Sequence, residues 1–295
     1  MPPEPVLVWF RNDLRIADNP ALAEAGRIGA PVIPVFIQPR NGPAAWAPGN
    51  ASRGWLRQSL AALGESLNRA GSRLILRRGS VERELAALAR ETRASALYFS
   101  RRWEPAERAL QGRIEGAMRA LGLETRLFEA GLLFDPESVR TKTGGPYRVF
   151  TAYYRAVAPG LETAEAARAP ARFAAPQAWP DSLPLDRMGL DSAWPSAAAR
   201  APWSPGEAGA LARFGEYLRG GALASYEEAR DLPAQDGTSR LSPHLAFGEI
   251  GPRQIVQAIR RRIQTDHSAA ARASARAFLR QIVWREFAYH LLAHL

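Results

Sequence analysis

The alternation of short apolar runs with amphipathic stretches along the first 130 residues constrains the fold more than any other feature of this sequence. Five apolar runs predict β-strands, at residues 6–10, 31–37, 74–76, 96–99 and 125–128. Helical spacing predicts helices between them, at residues 20–28, 52–70, 81–92 and 104–121, the first with Asn19 as N-cap. This order favours right-handed βαβ units, so the predicted fold class is α/β, a doubly wound parallel sheet with helices on both faces.

The second half of the chain follows a different pattern. Residues 159–206 contain eight prolines and little periodicity, which predicts a long connection rather than a packed unit. Helices are predicted at 207–219, 252–264 and 268–294, and a loop punctuated by Gly and Pro at 220–251. The predicted organisation is an α/β domain at 1–158, a linker at 159–206 and the first part of an all-α domain at 207–295.

The end of the chain is apolar. The last predicted helix closes on residues 287–295 without a Gly cap, a proline stop or a polar tail. A frayed terminus is one explanation. We favour the other, in which further elements would cover this apolar surface, so the helical domain is expected to be incomplete.

The charge of the chain indicates its class of partner. Hydrophobic residues make up 46% and charged residues 23%, which is typical of a globular protein. The formal net charge of +10 favours a polyanion, nucleic acid first. Residues 253–295 alone carry eight arginines against Asp266 and Glu286. Part of the excess is compositional, because Lys142 is the only lysine among 39 basic residues.

Several functional classes lack their sequence signals. The chain has no cysteine, which excludes disulfides, thiolate metal sites and cysteine nucleophiles. It has no apolar run of about 18 residues and no signal-peptide pattern, so we expect a cytoplasmic protein without a membrane partner. P-loop, G-x-G-x-x-G and G-x-S-x-G motifs are absent. His290 and His294 are four residues apart without an acidic ligand nearby, so no metal is expected.

The first motif that draws attention is WFRNDLR at residues 9–15, directly after the first predicted strand. Open α/β sheets bind ligands at the carboxyl ends of their strands, which gives this motif a binding interpretation. The alternative is an Arg–Asp pair that fixes the turn into the following helix. The residues by themselves favour that alternative.

The second motif extends over residues 226–244. Its polar and flanking residues are Tyr226, Arg230, Thr238, Ser239, Arg240, Leu241 and Ser242. Hydroxyls and backbone N–H groups just before a helix form an anion cradle, to which Arg240 adds charge. Simple N-capping by Ser242 ahead of Pro243 explains the same pattern equally well.

A third motif lies on the last predicted helix. Phe278, Gln281 and Arg285 share one stripe at helical spacing, and Trp284 lies beside them. An aromatic ring, an amide and a guanidinium together suit a flat heteroaromatic ligand. A stripe of this kind is also typical of a helix that contributes to a hydrophobic core.

Together these segments resemble the DNA photolyase/cryptochrome family, of the type of the class I deoxyribodipyrimidine photolyases. The resemblance covers all 295 residues and rests on WFRNDLR, SRGWL at 52–56, K-x3-PY-x2-F at 142–150, TSRLSPHLAFGEI at 238–250 and WREF at 284–287. It implies an N-terminal α/β domain that holds a light-harvesting antenna, and a helical domain that binds FAD.

The resemblance also implies roles for individual residues. The FAD phosphates would be bound by Thr238, Ser239, Arg240, Leu241 and Ser242, with Tyr226 alongside. Phe278, Gln281, Trp284 and Arg285 would line the rest of the cofactor, with Gln281 and Trp284 as catalytic residues. Arg230 and Trp284 would contact damaged DNA. The implied reaction is light-driven electron transfer from reduced flavin to a pyrimidine dimer flipped out of the duplex, performed by a monomer.

Three departures from the family pattern are visible. Gln281 replaces the glutamate usual in dimer photolyases, and Ala106 replaces an asparagine of folate-binding members, although Glu107 follows as expected for an antenna site. Family members also run well past the WREF helix, so the chain is expected to be a C-terminally truncated member with poor FAD affinity and poor repair. Two alternatives stay open: a cryptochrome-like blue-light sensor and a catalytically dead DNA-binding remnant.

Overall fold

Five parallel strands form a single sheet in the first half of the protein. The structure is a computed structural model, and it describes residues 3–39, 48–168, 170–190 and 203–294. The strands are β1 (Val6–Phe10), β2 (Val32–Pro39), β3 (Ile75–Gly79), β4 (Ala96–Ser100) and β5 (Glu124–Phe128). Their spatial order is β3-β2-β1-β4-β5, so β1 is central and pairs with β2 and β4. The predicted parallel sheet is confirmed.

Helices cover both faces of this sheet. They are α1 (Pro20–Arg27), α2 (Asn50–Arg69), α3 (Val81–Thr92) and α4 (Pro105–Ala120). Alternate residues of β1 belong to different cores: Val6 and Val8 pack with α1 and α2, whereas Leu7 packs with α3 and α4. Period-two alternation between two apolar layers explains why β1 is buried throughout and reads as a continuous apolar run. The doubly wound fold is therefore confirmed.

The first helix begins where the sequence predicts. The Asn19 side chain accepts a hydrogen bond from the Leu22 N–H at 3.1 Å, and Pro20 occupies the first helical position. A proline at that position loses nothing, because its missing N–H would have no partner inside the helix.

The proline-rich stretch after residue 161 packs against the sheet, so its prediction as an unpacked connection is wrong for the described residues. Phe173 and Met188 are buried in the sheet core. Backbone bonds tie the stretch to β2 and β3: Val32 N donates to Ala174 O at 3.0 Å, and Leu183 N to Leu76 O at 2.8 Å. The apolar residues between the prolines pack into the core of the sheet. A 3-10 turn forms at Leu185–Met188. The rest of the predicted linker, 191–202, lies outside the described residues.

The second half is helical. It comprises α5 (Phe150–Leu161), α6 (Glu207–Arg219), α7 (Gly221–Ala224), α8 (Tyr226–Ala229), α9 (Ser242–Phe247), α10 (Pro252–Thr265) and α11 (Ala269–His294). The long helices α6, α10 and α11 match the prediction, whereas α5 was not predicted from the sequence. The predicted loop at 220–251 is partly wrong, because it contains three short helices whose ends use its glycines and prolines: Gly220 caps α7, Pro243 enters α9 and Gly248 ends it at a φ of 67°.

Helix α5 belongs to the helical core. Its Phe150, Tyr153 and Val157 pack with Phe287 and the other buried side chains of α6, α10 and α11. The expected domain boundary at residue 158 thus falls inside a helix. We propose that the boundary precedes Phe150.

The two halves meet where the WFRNDLR loop reaches the end of α9. Asn12 Nδ2 donates to Ala246 O at 2.8 Å, Leu14 N to Phe247 O at 3.2 Å, and a guanidinium N–H of Arg15 to Gly248 O at 3.0 Å. Arg15 is itself almost fully buried and also contacts Asp18 at 3.5 Å. This loop therefore joins the sheet to the helical unit.

Candidate functional site

The loop that ends at α9 has the geometry of an anion cradle. Arg240 has a left-handed backbone, with a φ of 53°, and Leu241 follows in the right-handed region. This succession turns neighbouring N–H groups toward one side of the chain and forms a concave anion-binding nest. Within the described part of the chain, the N–H groups of Thr238, Ser239, Arg240 and Ser242 donate to no acceptor, whereas that of the buried Leu241 donates to the Ser239 hydroxyl at 3.4 Å.

The competing explanation for this motif fails. Helix α9 starts at Ser242 with Leu241 in the N-cap position, and no side chain makes a capping hydrogen bond. The hydroxyl-bearing residues Thr238 and Ser242 are exposed instead. N-capping by Ser242 is therefore wrong, and the hydroxyls remain accessible to a ligand.

An aromatic cluster lies under α8, next to this loop. The rings of Tyr226 and Phe278 are 5.4 Å apart, and Tyr217 is 5.0 Å from Phe278. All three are buried, and burial raises the pKa of the Tyr226 hydroxyl, so it is neutral at physiological pH. Arg230 lies over the Tyr226 ring at 5.9 Å and pairs with Asp231 at 3.3 Å. The structure thus brings Tyr226, Arg230 and Phe278 together.

The remaining residues of the α11 motif have different surroundings. Trp284 is 45% exposed and stacks on Phe150, with ring centroids 3.7 Å apart and planes 9° from parallel. Gln281 is half-buried and hydrogen-bonds to no described residue. Arg285 donates to Gly131 O at 2.6 Å and lies 5.2 Å from the Tyr289 ring. No contact between described residues joins Arg285 to the loop or to Phe278, and Phe278 itself is part of the core.

A second crevice opens at the carboxyl edge of the sheet, between β1 and β4. The strand order reverses there, which is where doubly wound sheets bind ligands. The crevice is lined by residues of both halves, including Arg11, Arg102, Trp103, Glu129, Arg285 and Tyr289.

Arg11 connects this crevice to the predicted antenna residue. Its guanidinium contacts Glu107 at 3.0 Å and donates to Gln111 Oε1 at 2.8 Å. The Asp13 carboxylate instead accepts from the Arg11 backbone N–H and from the Ser100 hydroxyl. The predicted Arg–Asp side-chain pair is therefore not formed by Arg11 and Asp13, although Arg15 and Asp18 form one. The ion pair with Arg11 therefore holds Glu107 beside the crevice at the carboxyl edge of the sheet.

Two carboxyl groups near the junction have strongly raised pKa values. Burial raises the pKa of Glu286 to about 7, and burial likewise raises that of Glu129 to about 7. Glu286 accepts hydrogen bonds from the N–H groups of Leu133 and Phe134, at 2.8 and 3.3 Å. These bonds favour the carboxylate, but the loss of hydration outweighs them.

The C-terminal histidines have structural partners. His290 accepts from Tyr147 N at 3.0 Å, and His294 lies 3.0 Å from the Pro136 carbonyl. Both therefore hold the segment that follows β5. Over the described ranges, no group of three or more His, Asp or Glu side chains is arranged to hold a metal ion. Among the helices that the structure describes, none is both long and apolar enough to span a bilayer.

Sequence reasoning missed several residues that shape these sites. Arg213 of α6 donates hydrogen bonds to the carbonyl groups of Thr238 and Ser239 in the loop at residues 238–241, here called the cradle loop. The buried Glu249 accepts from Trp55 Nε1 at 2.9 Å and from Gly206 N at 2.7 Å, and meets His244 at 2.5 Å. These partners are up to 194 residues apart, so no local pattern could have joined them.

The fold and the site define a protein in which a doubly wound sheet is packed on a helical unit that carries a loop with the backbone geometry of an anion-binding nest. The family profile described as DNA photolyase matches residues 6–175. With more than half of the chain matched, this protein belongs to the DNA photolyase family, as the motifs of the sequence imply.

Similar proteins agree with this assignment. The chain is 43% identical over 293 residues to a deoxyribodipyrimidine photo-lyase of Agrobacterium fabrum, and covers 98% of its own length and 59% of that protein. It is 32% identical to cryptochrome-1 of Arabidopsis thaliana, of which it covers 42%. The crystal structure of a bacterial class III photolyase from Agrobacterium tumefaciens matches with a TM-score of 0.91 and 42% identity, over the whole chain and 60% of that structure. The chain thus spans about three fifths of the photolyases it matches.

Proposed function

We propose that this protein takes part in the light-driven repair of pyrimidine dimers in DNA, with FAD as its cofactor. The observation that carries the proposal is the nest at Arg240 and Leu241. The N–H groups of Ser239, Arg240 and Ser242 have no acceptor in the described chain, and the Thr238 and Ser242 hydroxyls are accessible, which suits a pyrophosphate. The identity of 43% with a deoxyribodipyrimidine photo-lyase supports the reaction class. The protein acts as a monomer in the cytoplasm.

The residues present fit the phosphate end of FAD. Thr238, Ser239 and Ser242 supply hydroxyls, and their N–H groups and that of Arg240 have no acceptor within the described chain. The Arg240 side chain is exposed and adds a positive charge. Charge-assisted hydrogen bonds to phosphate are the strong kind, which makes this loop the part of the site with the greatest affinity for the cofactor.

The aromatic and amide groups fit the flavin end. Reduced FAD, when bound, supplies the electron that light transfers to the dimer. Tyr226 and Phe278 pack together in the helical core with their rings 5.4 Å apart, and Gln281, on the turn of α11 after Phe278, has an amide without a described partner. We propose that Gln281 donates a hydrogen bond to the lesion or the cofactor, and that Arg285 orients the segment around Gly131 at the border of the site.

The exposed face of α11 suits damaged DNA. Trp284 is held flat against Phe150, so its other face is available for stacking on an extruded base. Arg280 lies 5.7 Å from the Phe150 ring, and its exposed guanidinium adds positive charge beside the tryptophan. We propose that Arg230, exposed beside Tyr226, is a further contact with DNA phosphate.

We propose that a light-harvesting antenna binds over the opening of the crevice at the carboxyl edge of the sheet, because the crevice itself encloses only about 30 Å³. The crevice combines the aromatic side chains of Trp103 and Tyr289 with several arginines. Glu107, held by Arg11, lies at its margin and can accept a hydrogen bond from the chromophore. Ala106 makes a folate the less favoured chromophore.

A blue-light sensor is the second candidate function. Gln281 favours it, because an amide cannot act as the carboxylate found in dimer photolyases, and the chain is also 32% identical to Arabidopsis cryptochrome-1. The two candidates share the cofactor and differ in whether a dimer is split.

The experiment is a repair assay on the purified chain supplied with FAD. An oligonucleotide that carries one thymine dimer is illuminated with blue light under reducing conditions, and intact thymines are counted by chromatography. Slow repair in light, consistent with the poor FAD affinity expected of this chain, and none in darkness are expected. Flavin retention without repair would favour the sensor, and failure to bind FAD at all would overturn both candidates.

A further inference from the structure

Arg213 lies behind the cradle loop, on the side opposite its open N–H groups. Its Nε donates to Ser239 O at 3.0 Å, and a terminal N–H donates to Thr238 O at 3.2 Å. The side chain is 22% exposed, so most of the guanidinium is covered by protein. One arginine thus binds two successive carbonyl groups of the loop.

Asp236 extends this contact to Arg240. Its carboxylate lies 3.4 Å from Arg213 and 3.0 Å from Arg240 Nε. Arg240 is the residue with the left-handed backbone, a conformation that is strained for a residue other than glycine and persists only where the surroundings fix it. Two described contacts restrain this residue: Asp236 links its side chain to Arg213, and the Leu241 N–H donates to the Ser239 hydroxyl across it at 3.4 Å.

The loop has a second restraint at its other end. A side chain at Gly237 would approach the Ala229 carbonyl to 2.6 Å, so the backbone of the loop lies directly against the end of α8. This close approach fixes the position of residue 237. It leaves the orientation of the next two peptides to Arg213.

The orientation of those peptides decides what the loop can bind. A peptide whose carbonyl points toward Arg213 directs the following N–H to the opposite side, because the two groups are antiparallel in a trans peptide. The N–H groups of Ser239 and Arg240 therefore face away from the guanidinium. Without such an anchor, a carbonyl could turn into the nest and repel an anion.

We propose that Arg213 is the positioning residue of the phosphate-binding loop: its fork holds the carbonyls of Thr238 and Ser239 and thereby presents the loop N–H groups to the ligand. The inference rests on the proposed function, in which this loop binds the FAD phosphates. Arg213 itself touches no phosphate in this arrangement. Its fork geometry matters, because Arg213 uses donors on two different nitrogens, whereas a lysine carries all its donors on one.

Binding of FAD and of ADP to the whole chain, measured by calorimetry, tests the effect on the ligand. Arg213→Gln and Arg213→Lys are each expected to weaken both ligands by about tenfold, the size of one or two lost charged hydrogen bonds. Arg219→Gln is the matched control, since Arg219 is an exposed arginine at the end of the same helix. It is expected to change the affinity less than twofold. Wild-type affinity in Arg213→Lys would overturn the proposal, because charge alone would then suffice.

Trypsin cleavage after Arg240 provides a readout that needs no ligand. A loop released from Arg213 is expected to be cut about tenfold faster in Arg213→Gln and Arg213→Lys, with the melting temperature unchanged, and no faster in Arg219→Gln. Unchanged cleavage in both Arg213 variants would overturn the positioning role. If the wild-type chain bound neither FAD nor ADP, the proposed function would fail, while the cleavage rates would still decide the role of Arg213.

Discussion

At the scale of single residues, Glu286 shows how burial changes the chemistry of a side chain. It is 1% exposed in the core of the helical unit, and it accepts hydrogen bonds from the segment that follows β5. Burial raises its pKa from an ordinary 4.5 to about 7. A carboxyl group whose pKa rises on folding binds protons more tightly in the folded state, so its contribution to stability is largest in acid and declines as the pH rises toward 7.

We therefore predict that the free energy of unfolding falls between pH 5 and pH 8, and that Glu286→Gln removes roughly 1–3 kcal/mol of this decline because glutamine does not titrate. Urea titrations across this pH range measure the slope. Glu129 has a pKa of about 7 as well, so a smaller slope is expected to remain in the variant. Glu228→Gln changes an exposed carboxylate of α8 and is the control. An equal slope in wild type and Glu286→Gln would contradict the prediction.

At the scale of elements, the turn after α9 determines how the helical unit docks on the sheet. Gly248 has a φ of 67°, and a side chain there would overlap the Asn12 carbonyl. The same turn accepts hydrogen bonds from Leu14 and Arg15 of the WFRNDLR loop. Two of the motifs that carry the family resemblance thus have a structural role: they form the joint between the halves.

We predict that Gly248→Ala lowers the free energy of unfolding by about 2–4 kcal/mol, through a strained backbone and a steric clash at the joint. Gly112→Ala in α4 is the matched control, because a side chain there meets nothing within 4 Å. It is expected to stabilise the chain by about 0.5–1 kcal/mol, as alanine does in a helix interior. Thermal unfolding measures the stability change of each variant. Similar melting temperatures for the two variants would refute the role assigned to the turn.

At the scale of the whole molecule, the distribution of charge matters more than its sum. Several arginines of α10 and α11 have acidic partners, such as Arg260 with Glu162 and Arg262 with Asp266. Arg276 and Arg280 are exposed and meet no carboxylate in the described chain. They precede Trp284 at intervals of four residues, so one face of α11 carries two free cations and an exposed aromatic ring.

We predict that affinity for duplex DNA falls steeply with salt, and that Arg276→Gln and Arg280→Gln each reduce the slope of log K against log salt by about 1. Arg119→Gln removes the same charge from an exposed position on α4 and is expected to leave the slope unchanged. Fluorescence anisotropy at several salt concentrations measures the slopes. If all three variants reduced the slope equally, net charge and not the α11 face would be responsible for DNA binding.

The sequence by itself determined the fold class, the long helices and the family. Period-two and period-3.6 patterns depend on local geometry, and the β1 run or the Asn19 cap needs only neighbouring residues to be read. The short helices between 220 and 251 escaped prediction because four to six residues carry too little periodicity. The packing of Phe173 and Met188 against the sheet could not be predicted, because it depends on residues that are distant in the sequence and form the same core.

Only the tertiary structure decided how the motifs are used. It showed that Arg285 of the α11 stripe contacts Gly131 at the crevice of the sheet, removed Ser242 from a capping role, and paired Arg11 with Glu107 instead of Asp13. It also brought Arg213 to the carbonyls of a loop 25 residues further along the chain. A sequence pattern states which chemical groups are available. The long-range packing of helices and sheet sets which of them meet, because hydrogen bonds form only over about 3 Å and chain distance says little about distance in space.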